Sequence, residues 1–169
     1  MNSKCGKGDI WQLASTVQKP FVVIPTNLVI IKSQGRQQIV MGAGLAKQAA
    51  VRYPNLKYEL AIRYQKEDYL GDWLWSRLVH IFPEYGVIAF PTKKHWKERS
   101  NLVLIESGLQ ELRLEMQNNQ ILKDSTMLVP QIGSGLGGLD WFKDVRPRVV
   151  NSLVTGMNNC LVKTIALIE

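Results

Sequence analysis

The chain has few of the residues that build metal and disulfide sites. Its 169 residues include two cysteines, Cys5 and Cys160, near opposite ends, and two histidines, His80 and His95. Two cysteines and two scattered histidines lack the spacing of a structural zinc site, so we expect no bound metal. Free thiols are typical of a reducing compartment, and we therefore expect a cytoplasmic protein.

Long apolar runs are also missing, although 46% of the residues are hydrophobic. No stretch of about 18 apolar residues occurs, so we expect neither a transmembrane helix nor a membrane partner. The first ten residues carry two lysines with no apolar segment behind them, unlike a signal peptide. No repeat, low-complexity tract or linker divides the chain, which predicts one domain over residues 1–169 and, we expect, a monomer.

Acidic residues are outnumbered by basic ones, 14 to 21, which gives a formal charge of +7. Such an excess attracts phosphate-rich partners, although a merely basic surface has the same composition. Four of the cations lie between Lys93 and Arg99 and surround His95 and Trp96. Cations interleaved with aromatic rings suit single-stranded DNA or a phosphorylated ligand, and a solvated entry to a helix explains them equally well.

Short apolar runs alternate with segments of helical periodicity. Strands are predicted at Phe21–Ile24, Gln38–Val40, Arg77–Phe82, Val87–Phe90, Thr126–Val129 and Val162–Ile168. Helices are predicted at Ala46–Arg52, Leu56–Tyr69, 102–116 with Ser100 as its cap, and Asp140–Gly156 with a possible kink at Pro147. This alternation predicts an α/β fold, a three-layer α/β/α sandwich with a mostly parallel mixed central sheet.

Two glycine-rich loops follow predicted strands, and ligands of such sheets bind at the carboxyl ends of the strands. Loop 1, Met41–Leu45, leads from a strand into a helix, whose free N–H groups suit a diphosphate. A tight strand–helix turn without a ligand explains loop 1 almost as well. Loop 2, Gly133–Gly138, has four glycines in six residues and lacks the lysine of a P-loop. Its N–H groups could form an anion nest.

Taken in order, several segments resemble the macro domain family, whose members bind ADP-ribose. They are Gly8–Ile10, Asn27, Val40–Ala46 and Ile132–Trp141, and they span nearly the whole chain. Within that family, the run Phe90–Trp96 followed by Ser100–Leu102 looks like the DNA ADP-ribosyl glycohydrolase antitoxins. It resembles more loosely the terminal ADP-ribose glycohydrolases that act on acidic side chains. In both groups a lysine at the position of Lys93 is catalytic.

The resemblance implies a role for each matching residue. Asp9 would accept a hydrogen bond from the adenine amino group, Ile10 would supply a backbone contact, and Asn27 would lie near the distal ribose. Trp141 would pack beneath loop 2. The diphosphate and distal ribose would be enclosed by Met41, Gly42, Ala43, Gly44, Leu45, Thr92, Gly133, Ser134, Gly135, Leu136, Gly137 and Gly138. Each residue also has an ordinary reading: Asp9 as a turn residue, Asn27 as the cap of a strand and Lys93 as a solvated lysine.

One position departs from the looser parallel. Glycohydrolases that act on acidic side chains have an aspartate where this chain has Gly137, so one of the two groups of their mechanism is missing here. The DNA-directed group is glycine-rich at this point and is the closer parallel. Three activities share such a pocket: hydrolysis of ADP-ribosyl groups from DNA or protein, removal of phosphate from ADP-ribose 1″-phosphate, and binding of ADP-ribose without turnover. None of them implies a cofactor.

Overall fold

The computed structural model describes residues 6–67 and 77–167 and contains a six-stranded sheet of order β1-β8-β7-β2-β6-β5. All neighbouring strands are parallel except β5 and β6, which confirms the mostly parallel mixed sheet. The strands of this sheet are β1 Gly6–Gly8, β2 Pro20–Asn27, β5 His80–Phe82, β6 Val87–Lys93, β7 Thr126–Val129 and β8 Leu161–Leu167. A separate hairpin consists of β3 Ile30–Ser33 and β4 Arg36–Ile39.

Helices cover both faces of the sheet because its central strands are apolar on both sides. Along β2, Phe21 and Val23 belong to one core, whereas Val22 and Ile24 belong to the other. The first core includes residues of α4 Leu102–Asn118 and α5 Arg146–Ser152, and the second includes residues of α1 Ile10–Ala14, α2 Gly44–Arg52 and α3 Leu56–Glu67. The three-layer α/β/α sandwich is therefore confirmed.

A close helix–strand contact fixes the position of β6, whose last residue is Lys93. A Cβ atom at Gly108 of α4 would lie 2.7 Å from the ring of Phe90 on β6. Glycine at this position therefore lets the helix backbone rest directly on the aromatic ring. Both Phe90 and Gly108 are buried, so the end of β6 is supported from below by the longest described helix.

The predicted cap of α4 was wrong by one residue. Asn101, not Ser100, is the N-cap, and its side chain accepts a hydrogen bond from the backbone N–H of Leu104 at 3.1 Å. Ser100 is instead buried beside loop 2. Both residue types are good caps, so the sequence alone does not distinguish the two adjacent positions.

The strand predicted at Gln38–Val40 exists, but it was assigned to the wrong sheet. It belongs to the β3–β4 hairpin and not to the central sheet. Its turn consists of Gln34 and Gly35, both with positive φ, which is the two-residue hairpin geometry. Loop 1 therefore follows a hairpin, and it reaches the edge of the central sheet through a side-chain contact described below.

Other boundaries shift by a few residues. The predicted helix Asp140–Gly156 is a π-helical turn, Trp141–Val145, followed by α5, which ends at Ser152. Pro147 lies in the first turn of α5, where its missing N–H is tolerated, and so is not an interior kink. Helix α2 begins two residues earlier than expected, β5 begins at His80 instead of Arg77, and the predictions for Tyr69 and Ile168 fall outside the described residues. No helix within the described ranges has the length and apolar character needed to cross a membrane.

Candidate functional site

Lys93 and Asn27 lie side by side at the carboxyl ends of two parallel strands. They are Cα partners in the β2–β6 register, and the register shifts by one residue between Thr26 and Asn27. Neighbouring strands are separated by about 4.8 Å, so the two side chains share the edge at which ligands of α/β sheets bind. The structure thus brings together two of the residues that the sequence singled out.

The amine of Lys93 reaches loop 2. Its Nζ atom donates a hydrogen bond to the carbonyl oxygen of Leu136 at 3.4 Å, and the side chain is partly exposed. A lysine that ends a buried strand and points to a glycine loop differs from a lysine on an open surface. The reading of Lys93 as one more solvated lysine is less favoured by this contact.

Lys93 begins a segment that is fastened to loop 2 at several points; we refer to residues 93–100 as the lysine segment. At its far end, the Nη2 atom of Arg99 donates to the carbonyl oxygen of Gly138 at 2.7 Å. The backbone N–H of Ser100 donates to the carbonyl oxygen of Gly137 at 2.9 Å. Loop 2 and the lysine segment therefore form one connected structure around the end of β6.

Ser100 lies directly against residue 137. A Cβ atom at Gly137 would lie 2.2 Å from the Ser100 hydroxyl oxygen, 3.1 Å from Ser100 Cβ and 3.9 Å from Cε of Lys93. A change of the Ser100 rotamer would relieve the first contact, and the second requires a shift of a few tenths of an ångström. A side chain at position 137 is thus crowded by Ser100. The absence of an acid at this position agrees with that crowding.

Asn27 holds loop 1 in place. Its Nδ2 atom donates to the carbonyl oxygen of Val40 at 2.8 Å, and its Oδ1 atom accepts from the backbone N–H of Val29 at 2.9 Å. These bonds tie the strand β2 to the residue that precedes loop 1. The structural role of Asn27 is therefore clear, and its expected contact with the distal ribose stays a prediction.

Loop 1 exposes mainly its backbone to solvent, because its two large side chains are buried. Met41 and Leu45 are buried in the core that α1–α3 cover, whereas the residues between them are exposed. A Cβ atom at Gly42 or Gly44 would meet nothing within 4 Å, and Gly44 has a φ of +53°. Met41 and Leu45 can therefore contact a ligand only through their backbones.

The first N–H groups of α2 face this open space without a side-chain cap. Its N-cap residue is Ala43, which has no side chain able to accept their hydrogen bonds. The first four N–H groups of a helix lack intrahelical partners, and the helix dipole places positive charge there. Uncapped N–H groups beside open glycines are an arrangement that suits a phosphate oxygen.

Loop 2 uses half of its own N–H groups in backbone hydrogen bonds. Gly135–Gly137 form a 3₁₀ turn, and the N–H groups of Ser134, Gly137 and Gly138 donate to nearby backbone carbonyls. Within the described ranges, the N–H groups of Gly133, Gly135 and Leu136 donate to no backbone carbonyl. Gly133 is buried, whereas Gly135 and Leu136 are exposed, and a Cβ atom at Gly135 would meet nothing within 4 Å. The exposed donors that an anion nest in loop 2 could use are thus those of Gly135 and Leu136.

Asp9 lies at the start of α1, where its carboxylate acts as the N-cap. Its Oδ1 atom accepts from the N–H groups of Trp11 at 2.8 Å and Gln12 at 3.2 Å. Among the hydrogen bonds of the described residues, none is accepted by Oδ2 of Asp9. Ile10 is buried, so only its backbone is available. The adenine contact of Asp9 and the backbone contact of Ile10 stay predictions.

Several buried polar atoms near this edge have no hydrogen-bond partner within the described part of the chain. They are Oγ1 of Thr26, Oγ of Ser100, Oγ of Ser134 and Nε1 of Trp141. A buried polar atom without a partner costs about 1–3 kcal/mol, so such atoms are normally satisfied. Trp141 is buried in the core, where the sequence placed it. Thr26 and Ser100 were missed as site residues, since an isolated hydroxyl gives no signal in the sequence.

Thr92 and the charges complete the description of the site. Thr92 is buried, and its carbonyl oxygen accepts from the N–H of Asn101 at 2.9 Å, which ties the end of β6 to the start of α4.

Residues 131–139 contain no Asp or Glu. The described residues contain no cluster of three or more His, Cys, Asp or Glu that could hold a metal ion.

No family model matches the chain. Known proteins and solved structures that are similar to it were found, and their names agree with one another. The DNA ADP-ribosyl glycohydrolase of Mycobacterium tuberculosis is 36% identical over 115 residues, which is 67% of this chain and 31% of that protein. The macrodomain of Mycobacterium tuberculosis DarG superposes with a TM-score of 0.65 at 29% identity, covering 98% of this chain and 97% of that one. Thermosipho africanus DarTG in complex with ADP-ribose has the same fold, with a TM-score of 0.62 at 24% identity over 88% of this chain and 38% of that one.

Proposed function

The chain belongs to the macrodomain family, and we propose that it binds ADP-ribosyl groups between loops 1 and 2 and hydrolyses them from DNA. The observation that carries the proposal is the position of Lys93, which is the register partner of Asn27 and donates to loop 2 at 3.4 Å. Relatives named DNA ADP-ribosyl glycohydrolase support the reaction. The chain spans only 31% of the length of these relatives, so the activity is inferred for the domain described here.

The ligand would be held mainly by backbone groups. The uncapped start of α2 and the N–H groups of Gly135 and Leu136 supply donors for the diphosphate. The open space beside Gly44 and Gly135 gives the backbone a close approach to it. Asp9, with its Oδ2 atom available, would receive the adenine amino group. The distal ribose then lies towards Asn27 and Lys93, at the end of the sheet.

Hydrolysis breaks the bond between C1 of the distal ribose and the modified base. Water supplies a hydroxyl group to C1 and a proton to the departing base, which gives free ADP-ribose and the unmodified base. Lys93 can take part in either of two ways. A neutral amine attacks C1 of the opened ribose and displaces the base, which takes up a proton, and water then hydrolyses the resulting imine to free ADP-ribose and the lysine. Alternatively, a charged ammonium donates a proton to the departing base while water attacks C1 and returns a proton to the amine. Both ways need only water and this side chain, so we propose that no cofactor takes part.

A DNA target is favoured over a modified acidic side chain for two reasons. The position of the second, acidic group of the protein-directed mechanism is Gly137 in this chain, and Ser100 crowds the space beside it. The formal charge of +7 favours approach to a polyanion. We propose, as expected from the sequence, that the DNA is single-stranded and that the protein acts in the cytoplasm.

The test compares Lys93→Ala with the wild type on three substrates: ADP-ribosylated single-stranded DNA, protein ADP-ribosylated on acidic side chains, and ADP-ribose 1″-phosphate. We expect wild type to release ADP-ribose from the DNA, and Lys93→Ala to be slower by roughly 100-fold or more. Its affinity for ADP-ribose, measured by calorimetry, should change little. Lys163→Ala, which removes an exposed lysine of β8, is the matched control and should match wild type.

Each alternative activity has its own outcome. Phosphate release from ADP-ribose 1″-phosphate without action on DNA would identify a phosphatase. Tight binding of ADP-ribose with no turnover of any substrate would identify a binding module, which the absence of an acid in loop 2 makes the second candidate. Full activity of Lys93→Ala would show that another group performs the reaction.

A further inference from the structure

We propose that the stacked rings of His95 and Trp96 form a platform for the DNA base adjacent to the modified nucleotide. This inference rests on the proposed function and specifies where the DNA strand next to the modified nucleotide would bind. The two ring centroids are 5.5 Å apart with an interplanar angle of 23°. Trp96 is 46% exposed and belongs to neither hydrophobic core, so its indole is not required to fill the interior. Bases stack on exposed aromatic rings with little dependence on sequence.

The platform is held rigidly by its own backbone. The N–H of Lys97 donates to Nδ1 of His95 at 3.1 Å, and the N–H of Glu98 donates to the carbonyl oxygen of His95 at 3.0 Å. These two bonds close a turn around the histidine and fix the ring on which Trp96 stacks. A surface that is ordered before binding loses less conformational entropy when a base stacks on it.

Charge around the platform is complementary to a phosphate backbone. Lys94 and Lys97 are exposed, and Nζ of Lys97 lies 4.9 Å from the centre of the Trp96 ring. The guanidinium of Arg99 is bound to loop 2 and adds positive charge beside it. Glu98 is the only acid in the lysine segment. An aromatic ring flanked by exposed lysines favours a nucleic-acid strand over an acidic or apolar protein surface alone.

The platform lies close to the proposed catalytic lysine along the chain. Trp96 is three residues from Lys93, so their Cα atoms are within about 11 Å of each other. Both ends of the lysine segment are fastened to loop 2, through Lys93 at one end and Arg99 at the other. The platform therefore stays at the rim of the pocket. A strand whose modified base is at Lys93 can place the next base on Trp96.

The experiment measures kcat/KM on two substrates that differ only in the neighbouring nucleotides. One is a single-stranded oligonucleotide of about ten nucleotides with one ADP-ribosyl group on a base, and the other is the ADP-ribosylated mononucleotide obtained from it by nuclease digestion. The variants are Trp96→Ala, Trp96→Phe and the control Phe142→Ala, which removes an aromatic ring that is 63% exposed outside the lysine segment.

We expect Trp96→Ala to lower kcat/KM for the oligonucleotide roughly 10-fold or more, and to leave that for the mononucleotide within about twofold. Trp96→Phe should retain most of the oligonucleotide activity, and Phe142→Ala should match wild type on both substrates. An equal loss on both substrates would overturn the platform, because it would mean that Trp96 only supports the fold. Wild-type kcat/KM of Trp96→Ala on the oligonucleotide would also overturn it; ADP-ribosylated protein, assayed in parallel, would then show whether the ring serves a protein partner.

A binding measurement separates this inference from the proposed reaction. Affinity for the unmodified oligonucleotide and for ADP-ribose is measured for the wild type and Trp96→Ala by calorimetry. If neither protein hydrolyses DNA, the proposed function fails, and the platform still requires weaker oligonucleotide binding in Trp96→Ala at equal ADP-ribose affinity. Equal oligonucleotide affinities would overturn the platform even if the enzyme is active.

Discussion

At the scale of single residues, the glycines of the two loops serve two different purposes. Gly44 and Gly135 have positive φ and open space where a side chain would be. Gly137 and Gly138, in contrast, are closed by protein atoms of Ser100 and Arg99. The first pair leaves space for a ligand, whereas the second pair lets loop 2 rest on the lysine segment. The glycines look alike in the sequence, and only the neighbouring chain distinguishes them.

A side chain at an open glycine is expected to remove ligand binding without unfolding the domain. Gly135→Glu places a carboxylate in the space proposed for the diphosphate, where repulsion between like charges should weaken ADP-ribose binding by at least about 100-fold. The strained backbone should cost only about 1–2 kcal/mol of stability, because the new side chain meets no protein atoms. Calorimetry with ADP-ribose and thermal unfolding measure the two effects.

Gly35→Glu is the matched control for this change. Gly35 has a φ of +76° and equally open space, but it lies in the turn of the β3–β4 hairpin. The same strain should appear in its unfolding temperature, while its affinity for ADP-ribose stays that of wild type. Wild-type affinity in Gly135→Glu would remove loop 2 from the proposed site.

Residue-level prediction from sequence succeeded where the signal was a run of residues. The segment around Lys93 was singled out by its motif; Lys93 ends β6 and donates to loop 2, and its catalytic role stays a prediction. Ser100 was misread as a cap because Ser and Asn are interchangeable in that role. Thr26, a hydroxyl within an apolar strand, gave no warning of its unpartnered oxygen. Roles that depend on an atom from a distant part of the chain cannot be read from neighbours in sequence.

At the scale of elements, the antiparallel edge strand β5 contains a buried histidine. His80 packs edge-on against the ring of Tyr64 on α3, with ring centroids 4.8 Å apart. Burial, together with the charges of Arg63 and Arg77, lowers the pKa of His80 to about 4. His80 is therefore neutral in the folded protein near neutral pH, whereas in the unfolded chain it takes up a proton at a pH closer to 6.5.

This difference predicts that stability falls on mild acidification. The unfolded chain binds the proton more readily, so the contribution of His80 is present above about pH 6.5 and is lost progressively as the pH falls towards 4. Between about pH 7 and about pH 5, wild type should lose about 2 kcal/mol more of its free energy of unfolding than His80→Gln. Urea denaturation at a series of pH values measures the loss. Parallel pH profiles for the two proteins would contradict the assignment.

Element prediction was sound for buried segments, including the four-residue strand β7, whose predicted bounds were correct, and poor for exposed ones. The apolar spacing of α4 and the β-branched run of β2 were found, because burial on one or both faces leaves a pattern over many residues. The hairpin β3–β4 was missed, and its exposed strands show no such pattern. Its one sequence signal was Gly35 in the turn. The π-helical turn before α5 was predicted as part of an ordinary helix, since its buried residues, Trp141 and Val145, are four apart and fit helical periodicity as well.

At the scale of the whole molecule, the net charge of +7 has a measurable consequence for the proposed reaction. For a DNA substrate, kcat/KM should fall as salt is raised, with a slope of log kcat/KM against log salt of about −0.7 for each phosphate contacted. The ADP-ribosylated mononucleotide lacks the neighbouring phosphates and should show a smaller slope. Turnover at several salt concentrations provides the measurement, and equal slopes would argue against contacts with the strand.

The fold and the general place of the site were predictable at this scale because they depend on the order of elements. Alternating strands and helices predicted the three layers, and parallel strands place their carboxyl ends at one edge. The sequence did not predict how loop 1 reaches that edge, which depends on Asn27 and its bond to Val40. The monomeric state stays a prediction that sedimentation can test.

The contact between Ser100 and Gly137 also couples these two positions in any redesign of loop 2. A Cβ atom at position 137 would lie 2.2 Å from the serine hydroxyl oxygen and 3.1 Å from the serine Cβ, so a side chain there requires Ser100 to change rotamer and to shift. Substitutions at the two positions are therefore not independent, and the effect of an acid introduced at position 137 depends on which residue stands at position 100.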